Sequence, residues 1–151
     1  MSDWYTTNGT INAVTPAPGD TALALIASTL TRARIQHILC GAYGTPVGDN
    51  ILEVLVRRFT AVGTSTAVIP QANDPGAPAA QLTAGENFTV EPTYAATEKF
   101  DLPVHHRNTF QWYAPPRGEI IIPATANNGV GVTPIHGSYT GIAQAIITYE
   151  E

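Results

Sequence analysis

The chain closes on a strand. From Tyr139 to Glu150 the side chains alternate, with Tyr139, Gly141, Ala143, Ala145, Ile147 and Tyr149 on one face. Thr140, Ile142, Gln144, Ile146, Thr148 and Glu150 take the other. A period of two marks a half-buried β-strand. Chain ends fray unless something ties them down, so a closing run this apolar is expected inside a sheet. Its first face is small enough for another layer to approach closely. The second mixes apolar and polar groups, as expected of a face partly covered by a subunit, and is a candidate assembly contact.

The remainder repeats this style. Twelve prolines and 13 glycines break the chain into short runs, which suits strands better than helices. Residues 21–30 fit either a strand or a short helix, and the β-rich context decides for strand. In the run Arg32–Tyr43, strict alternation puts Ala33, Ile35, His37 and Leu39 on one face and Arg32, Arg34, Gln36, Ile38 and Cys40 on the other. Gly44–Asn50 reads as a turn. Ile51–Val62 follows with apolar residues on both faces, the pattern of a strand covered on both sides.

Residues 63–92 are the least regular stretch, with a short strand expected at Ser65–Pro70, and a long irregular segment of this kind points to a contact surface. Further strands are expected over Thr93–Val104, Asn108–Ala114 and Glu119–Ile122, with Asn127–Gly131 as a turn. About eight strands at regular spacing predict an all-β fold, an antiparallel β-sandwich of jelly-roll type. The expected division is a polar N-terminal arm over residues 1–20, anchored by Trp4 and Tyr5, and a single sandwich domain over 21–151. A chain of 151 residues fits one domain with a core of its own.

Charge is sparse, at 13% of residues against a usual value of about 25%. Lys99 is the one lysine, the net charge is −5, and no basic stripe runs along any segment. Nucleic-acid binding needs clustered cations to displace counterions, so no nucleic-acid partner is expected. Cys40 stands alone, which precludes an internal disulfide and suits assembly in a reducing cytosol. Met1–Tyr5 lacks the basic start and apolar run of a signal peptide. No window reaches the roughly 18 apolar residues that span a bilayer, and no membrane partner is expected.

Chemistry is harder to find. His105 and His106 are adjacent, so a regular strand would send them to opposite faces; neither they nor His37 and His136 show metal-ligand spacing. His37, beside Ile35 and Leu39, reads as a core histidine with one polar partner. Cys40 reads as a buried apolar residue. Nucleophile-elbow and phosphate-loop motifs are absent. Glu86, Glu91, Glu98, Asp101 and Glu119 could pair only by folding together. Phe110 and Trp112 share a face and read as core, although with Tyr94 and Tyr113 they offer rings for sugar stacking. The residues therefore imply no catalytic, cofactor or metal site and no enzyme.

Several segments carry a resemblance: Arg57–Val68, Glu91–Tyr94, Phe110–Ala114, Ile122–Gly129 and Gly137–Gly141. Together they span most of residues 20–151. The chain resembles a group of small virion structural proteins from tailed bacteriophages, in particular capsid decoration (cement) proteins. The resemblance implies a non-enzymatic protein that binds the major capsid protein and itself, as homodimer or homotrimer. It implies a place on the capsid surface after synthesis in the host cytoplasm, and no cofactor. Trp4 and Tyr5, or the 70–86 loop, are then the expected contacts with the shell or a neighbour. A lectin-like module that binds carbohydrate through Tyr94, Trp112 or Tyr113 is the alternative.

Overall fold

The computed structural model describes residues 2–44, 49–137 and 139–151, which form twelve strands and no helix. Most of the turn expected at Gly44–Asn50 (Thr45, Pro46, Val47 and Gly48) lies outside these residues, as do Met1 and Ser138. In chain order the strands are β1 (Trp4–Ile11), β2 (Leu23–Ile26), β3 (Ala33–Tyr43), β4 (Ile51–Ala61), β5 (Thr64–Val68) and β6 (Gln71–Ala72). There follow β7 (Thr83–Val90), β8 (Thr93–His105), β9 (Phe110–Tyr113), β10 (Ile120–Ile122), β11 (Gly129–Ile135) and β12 (Ile142–Glu150).

Two antiparallel sheets pack face to face. Sheet A runs β10-β3-β12-β1-β6, with β9 continuing β10 along the same side of β3. Sheet B runs β5-β7-β2-β11-β4-β8. The pairing is nested: β1 with β12 and β3 with β10 in sheet A, β2 with β11 and β4 with β8 in sheet B. Strand orders β1-β12-β3-β10 and β2-β11-β4-β8 are those of a jelly roll. The expected count of about eight falls short for two reasons. An excursion between β4 and β8 adds β5, β6 and β7, and the strand beside β3 is split into β9 and β10.

Between the sheets lies one apolar core. Its sheet A wall includes Tyr5, Ile35, Ile38, Cys40, Ala143, Ala145, Ile147 and Tyr149; its sheet B wall includes Leu23, Leu25, Leu52, Val54, Val56, Val130 and Val132. The closing strand behaves as its alternation predicts. Ala143, Ala145, Ile147 and Tyr149 are fully buried while their neighbours are half-buried, and β12 sits between β3 and β1.

The N-terminal arm needs correction. Trp4–Ile11 is a full strand, in register with Ala143–Glu150 over eight residue pairs. Alternation then decides the fate of its two aromatics. Tyr5 points inward, stacks on Tyr149 with ring centroids 5.6 Å apart, and donates its hydroxyl to the Pro78 carbonyl at 3.1 Å. It belongs to the core and is not a partner contact. Trp4 faces outward and is 44% exposed.

Residues 12–20 continue across the outer side of sheet B. Val14 donates its N–H to Gly141, and Thr15 bridges Ile135. The Arg57 guanidinium lies 4.0 Å over the Tyr94 ring and donates to the Pro18 carbonyl and to Thr133 Oγ1. Glu91 accepts from both the N–H and the hydroxyl of Thr21. A nearly buried charge is tolerable only when paired in this way. This layer covers β11 and the middle of β4, which is buried on both sides from Val54 to Arg57 as its sequence indicates, while Ile51 and Glu53 stay exposed.

The expected turn at Gly129–Gly131 is instead the start of β11, whose seven residues are all buried. Its glycines answer to close packing. A Cβ at Gly131 would lie 2.1 Å from the Tyr94 hydroxyl, and one at Gly129 would lie 2.2 Å from the Leu25 carbonyl oxygen. The Asn127-Asn128 signal marks the turn that precedes the strand.

Deletion of residues 2–11 is expected to unfold the domain, because it strips β12 of a neighbour and removes Tyr5 from the core. Tyr5→Ala alone should cost about 3–5 kcal/mol, the usual penalty for emptying a buried aromatic site. Urea denaturation followed by tryptophan fluorescence checks both; a truncated chain with unchanged midpoint would contradict the strand assignment.

Candidate functional site

A bulge in β3 creates the most distinctive surface. Opposite β12, the register slips between Thr148–His37 and Tyr149–Ile35, which leaves Gln36 as the extra residue. One inserted residue exchanges the faces of everything that follows. Ala33 and Ile35 therefore point inward together with Ile38 and Cys40, while His37 and Leu39 turn outward. Strict alternation placed His37 in the core; the bulge removes it. Its ring lies flat on Tyr113 at 3.9 Å and 7°.

With that shift the outer face of sheet A presents matching rows from four strands. Tyr113, His37, Thr148 and Thr6 form one row; Gln111, Leu39, Ile146 and Asn8 the next. Gly41, Gln144 and Thr10 form a third, and Tyr43 with Ile142 a fourth. No carboxylate, lysine or arginine stands in these rows. The charges Arg34 and Glu150 lie beyond the Tyr113 row, where Gln36 donates to Glu150 at 3.0 Å. A shallow depression of about 330 Å³ opens where Gly41 offers no side chain, walled by Leu39, Tyr43, Thr109, Gln144 and Ile146. This is the face of β12 marked out in sequence as partly covered.

Other candidates fall into place around it. Cys40 is buried, and desolvation pushes its thiol up to about 12, so at neutral pH it is an inert apolar group. Phe110 is buried and Trp112 packs at 5.2 Å on Phe100, both on the core side as expected. Tyr94 lies beneath Arg57. Of the rings named for sugar stacking, Tyr113 remains open, at 61% exposure.

His105 and His106 do meet, with ring centroids 4.7 Å apart at the end of β8. His106 is buried, stacks on Tyr139 and engages Asn50 through Nδ1. Among the described residues no three His, Cys, Asp or Glu side chains are arranged to hold one metal ion. Glu86 accepts from the Thr10 N–H at 2.7 Å and Glu91 holds Thr21, so both act on backbone. Asp101 hydrogen-bonds to Glu53, raising the Glu53 carboxyl above its usual range. Glu53 was not among the carboxylates singled out; their cross-strand neighbourhood emerges only from the β4–β8 register. Both side chains lie on exposed strand positions.

Comparison with known protein families, with characterised proteins and with solved structures finds no match for this chain.

Burial holds His37 below its ordinary value of 6.5. The folded imidazole therefore resists a proton that the unfolded chain accepts. Its contribution to stability is complete above the ordinary value and is lost as pH falls through it. The urea midpoint should drop between about pH 8 and about pH 5, and His37→Phe, which keeps the ring on Tyr113, should flatten that drop. Parallel pH profiles for the two proteins would disprove the assignment.

Proposed function

We propose that this chain is a non-enzymatic structural protein of a bacteriophage particle, a capsid decoration protein that stabilises the head shell. In this reading the outer face of sheet A seats on the major capsid protein. The observation that carries it is the uncharged centre of that face, with Leu39, Ile146, Ile142 and Tyr43 held half-exposed among Thr, Gln and Asn. Interface centres are depleted in charge because each buried charge must be desolvated, and they are enriched in aromatic residues. A rigid two-sheet frame behind the face lets contact form with little ordering cost. Jelly rolls serve in capsids and in lectins alike, so the fold alone does not select the role.

Tyr94 and Trp112 are occupied in packing, which leaves Tyr113, backed by His37, as the one ring of the alternative carbohydrate reading with an open side. A glycan array separates the two: the decoration reading expects no hit that disappears in Tyr113→Ala.

The direct test uses particles produced from the genome that encodes this chain. The wild-type protein should co-sediment with purified heads. The Leu39→Lys/Ile146→Lys protein should lose at least about tenfold in occupancy, as expected when central contacts of an interface are removed, while its urea midpoint stays near that of the wild type. Absence of the wild-type chain from the heads would end the decoration reading. Unchanged occupancy of the double variant would end the role of this face.

A further inference from the structure

An exposed sheet edge is a row of unpaired N–H and C=O groups that will accept another strand unless something blocks it. Three of the edges here carry such blocks. β8, the long edge of sheet B, bears Glu98, Lys99, Asp101 and Pro103, and its register with β4 is broken by repeated irregularities. The β1 edge is covered by β6 over two residues, and farther along the Glu86 carboxylate takes the Thr10 N–H and hydroxyl. The edge made by β9 and β10 is split into runs of four and three residues, separated by Pro115 and Pro116.

The β5 edge carries neither charge nor an internal proline, and its single register shift against β7 falls at its start, between Thr64 and Thr66. Thr64–Val68 pairs with β7 on one side and lies at the margin of sheet B on the other. No charged residue occurs from Gly63 to Asn73, and proline is absent from the strand itself. Apolar groups flank it: Ile69 is 77% exposed and Val90, opposite Thr64, is 58% exposed. Beside the same run lies an apolar groove of about 350 Å³, lined by Val68, Pro70, Ala77, Pro78 and Leu82. The exposed Ile69 forms part of the rim of this groove, so apolar surface continues from the end of the strand.

We propose that β5 pairs antiparallel with β5 of a second copy of this chain, joining the two copies of sheet B into one continuous sheet. A two-fold contact must be self-complementary, since the same patch serves both subunits. This edge meets that requirement. With the axis beside Thr66, Thr66 of one copy lies opposite the partner's Thr66 and Thr64 opposite the partner's Val68, so all five residues of the strand pair. Two chains of net charge −5 repel wherever acidic groups meet. Here the apposed strands are neutral, and the nearby Glu86 carboxylate is turned to Thr10. Threonines facing each other across such a pair are favourable cross-strand neighbours. The dimer contact is separate from the face of sheet A, so it stands or falls independently of shell docking.

The test is the mass of the purified full-length chain by light scattering at micromolar concentration. The wild type should weigh twice 16.0 kDa. Thr66→Lys and Ile69→Lys, each placing on the edge the residue that natural edges use against pairing, should weigh 16.0 kDa with unchanged far-ultraviolet dichroism. Tyr43→Lys, on the face of sheet A, should remain dimeric. Amide exchange across Thr64–Ile69 should slow as protein concentration rises, a readout that needs no substitution. A monomeric wild type would overturn the proposal, including one whose β5 edge captures a foreign extended peptide. A dimer that survives both lysine variants, or one without added protection on β5, would overturn it as well.

Discussion

Eight residues near one end of the chain pair with eight near the other, and the architecture hangs on that ladder. Trp4–Ile11 and Ala143–Glu150 lie side by side in sheet A, and the mutual hydrogen bonds of Asp3 and Glu151 extend the pairing by one more step. Because later strand pairs nest inside this one, sheet A cannot close until sequence-distant segments meet. Such topologies pay loop-closure entropy before contacts reward it. The return comes from the inner face of the ladder, where Tyr5 stacks on Tyr149 and Ile147 faces the core. Burial of large apolar groups is the dominant favourable term in folding, and here much of it depends on both ends of the chain being in place.

The same ladder explains why the chain needs so little charge. β12 is flanked on both sides, its inner face is core, and its outer face carries Ile, Gln and Thr up to the row where Glu150 meets Arg34. Part of the outer side of sheet B is closed by residues 14–21, Tyr94 and the Arg57 guanidinium, and Glu53 and Asp101 stay exposed beyond it. One cation sits in the closed part, over the Tyr94 ring and bonded through Nη2, where a polar face would carry several. Polar residues are thus pushed to edges and loops, and the edges differ sharply in how they are defended.

Sequence period alone reached the all-β class, the placing of β12 and the inward side of Phe110 and Trp112, because these depend on local alternation. It failed where a distant neighbour decides. A bulge opposite Thr148 leaves no mark in the run RARIQHILC, yet it moves His37 from the core to the surface. Gly129 and Gly131 look like a turn because glycine is permissive; their reason is Phe59, Leu25 and Tyr94, which lie far away in sequence. The strand Trp4–Ile11 reads as a polar arm, since Thr, Asn and Gly fill positions whose backbone is fixed by β12. Glu53 meets Asp101 only through the β4–β8 register.

These failures share a cause with the surface on which the proposed function rests. Had β3 kept strict alternation, Leu39 would face the core and Ile38 the solvent, and the rows on sheet A would not line up with Ile146 and Gln144. The bulge sets Leu39 beside Ile146 and Gly41 beside Gln144, which makes the depression at Gly41 and keeps the centre of the face neutral. Bulges are costly to pairing and bend the strand that holds them. Here the extra residue, Gln36, is tied to Glu150, so the local irregularity is stabilised at the very row where charge begins. A single inserted residue thus separates a charged margin from an uncharged centre.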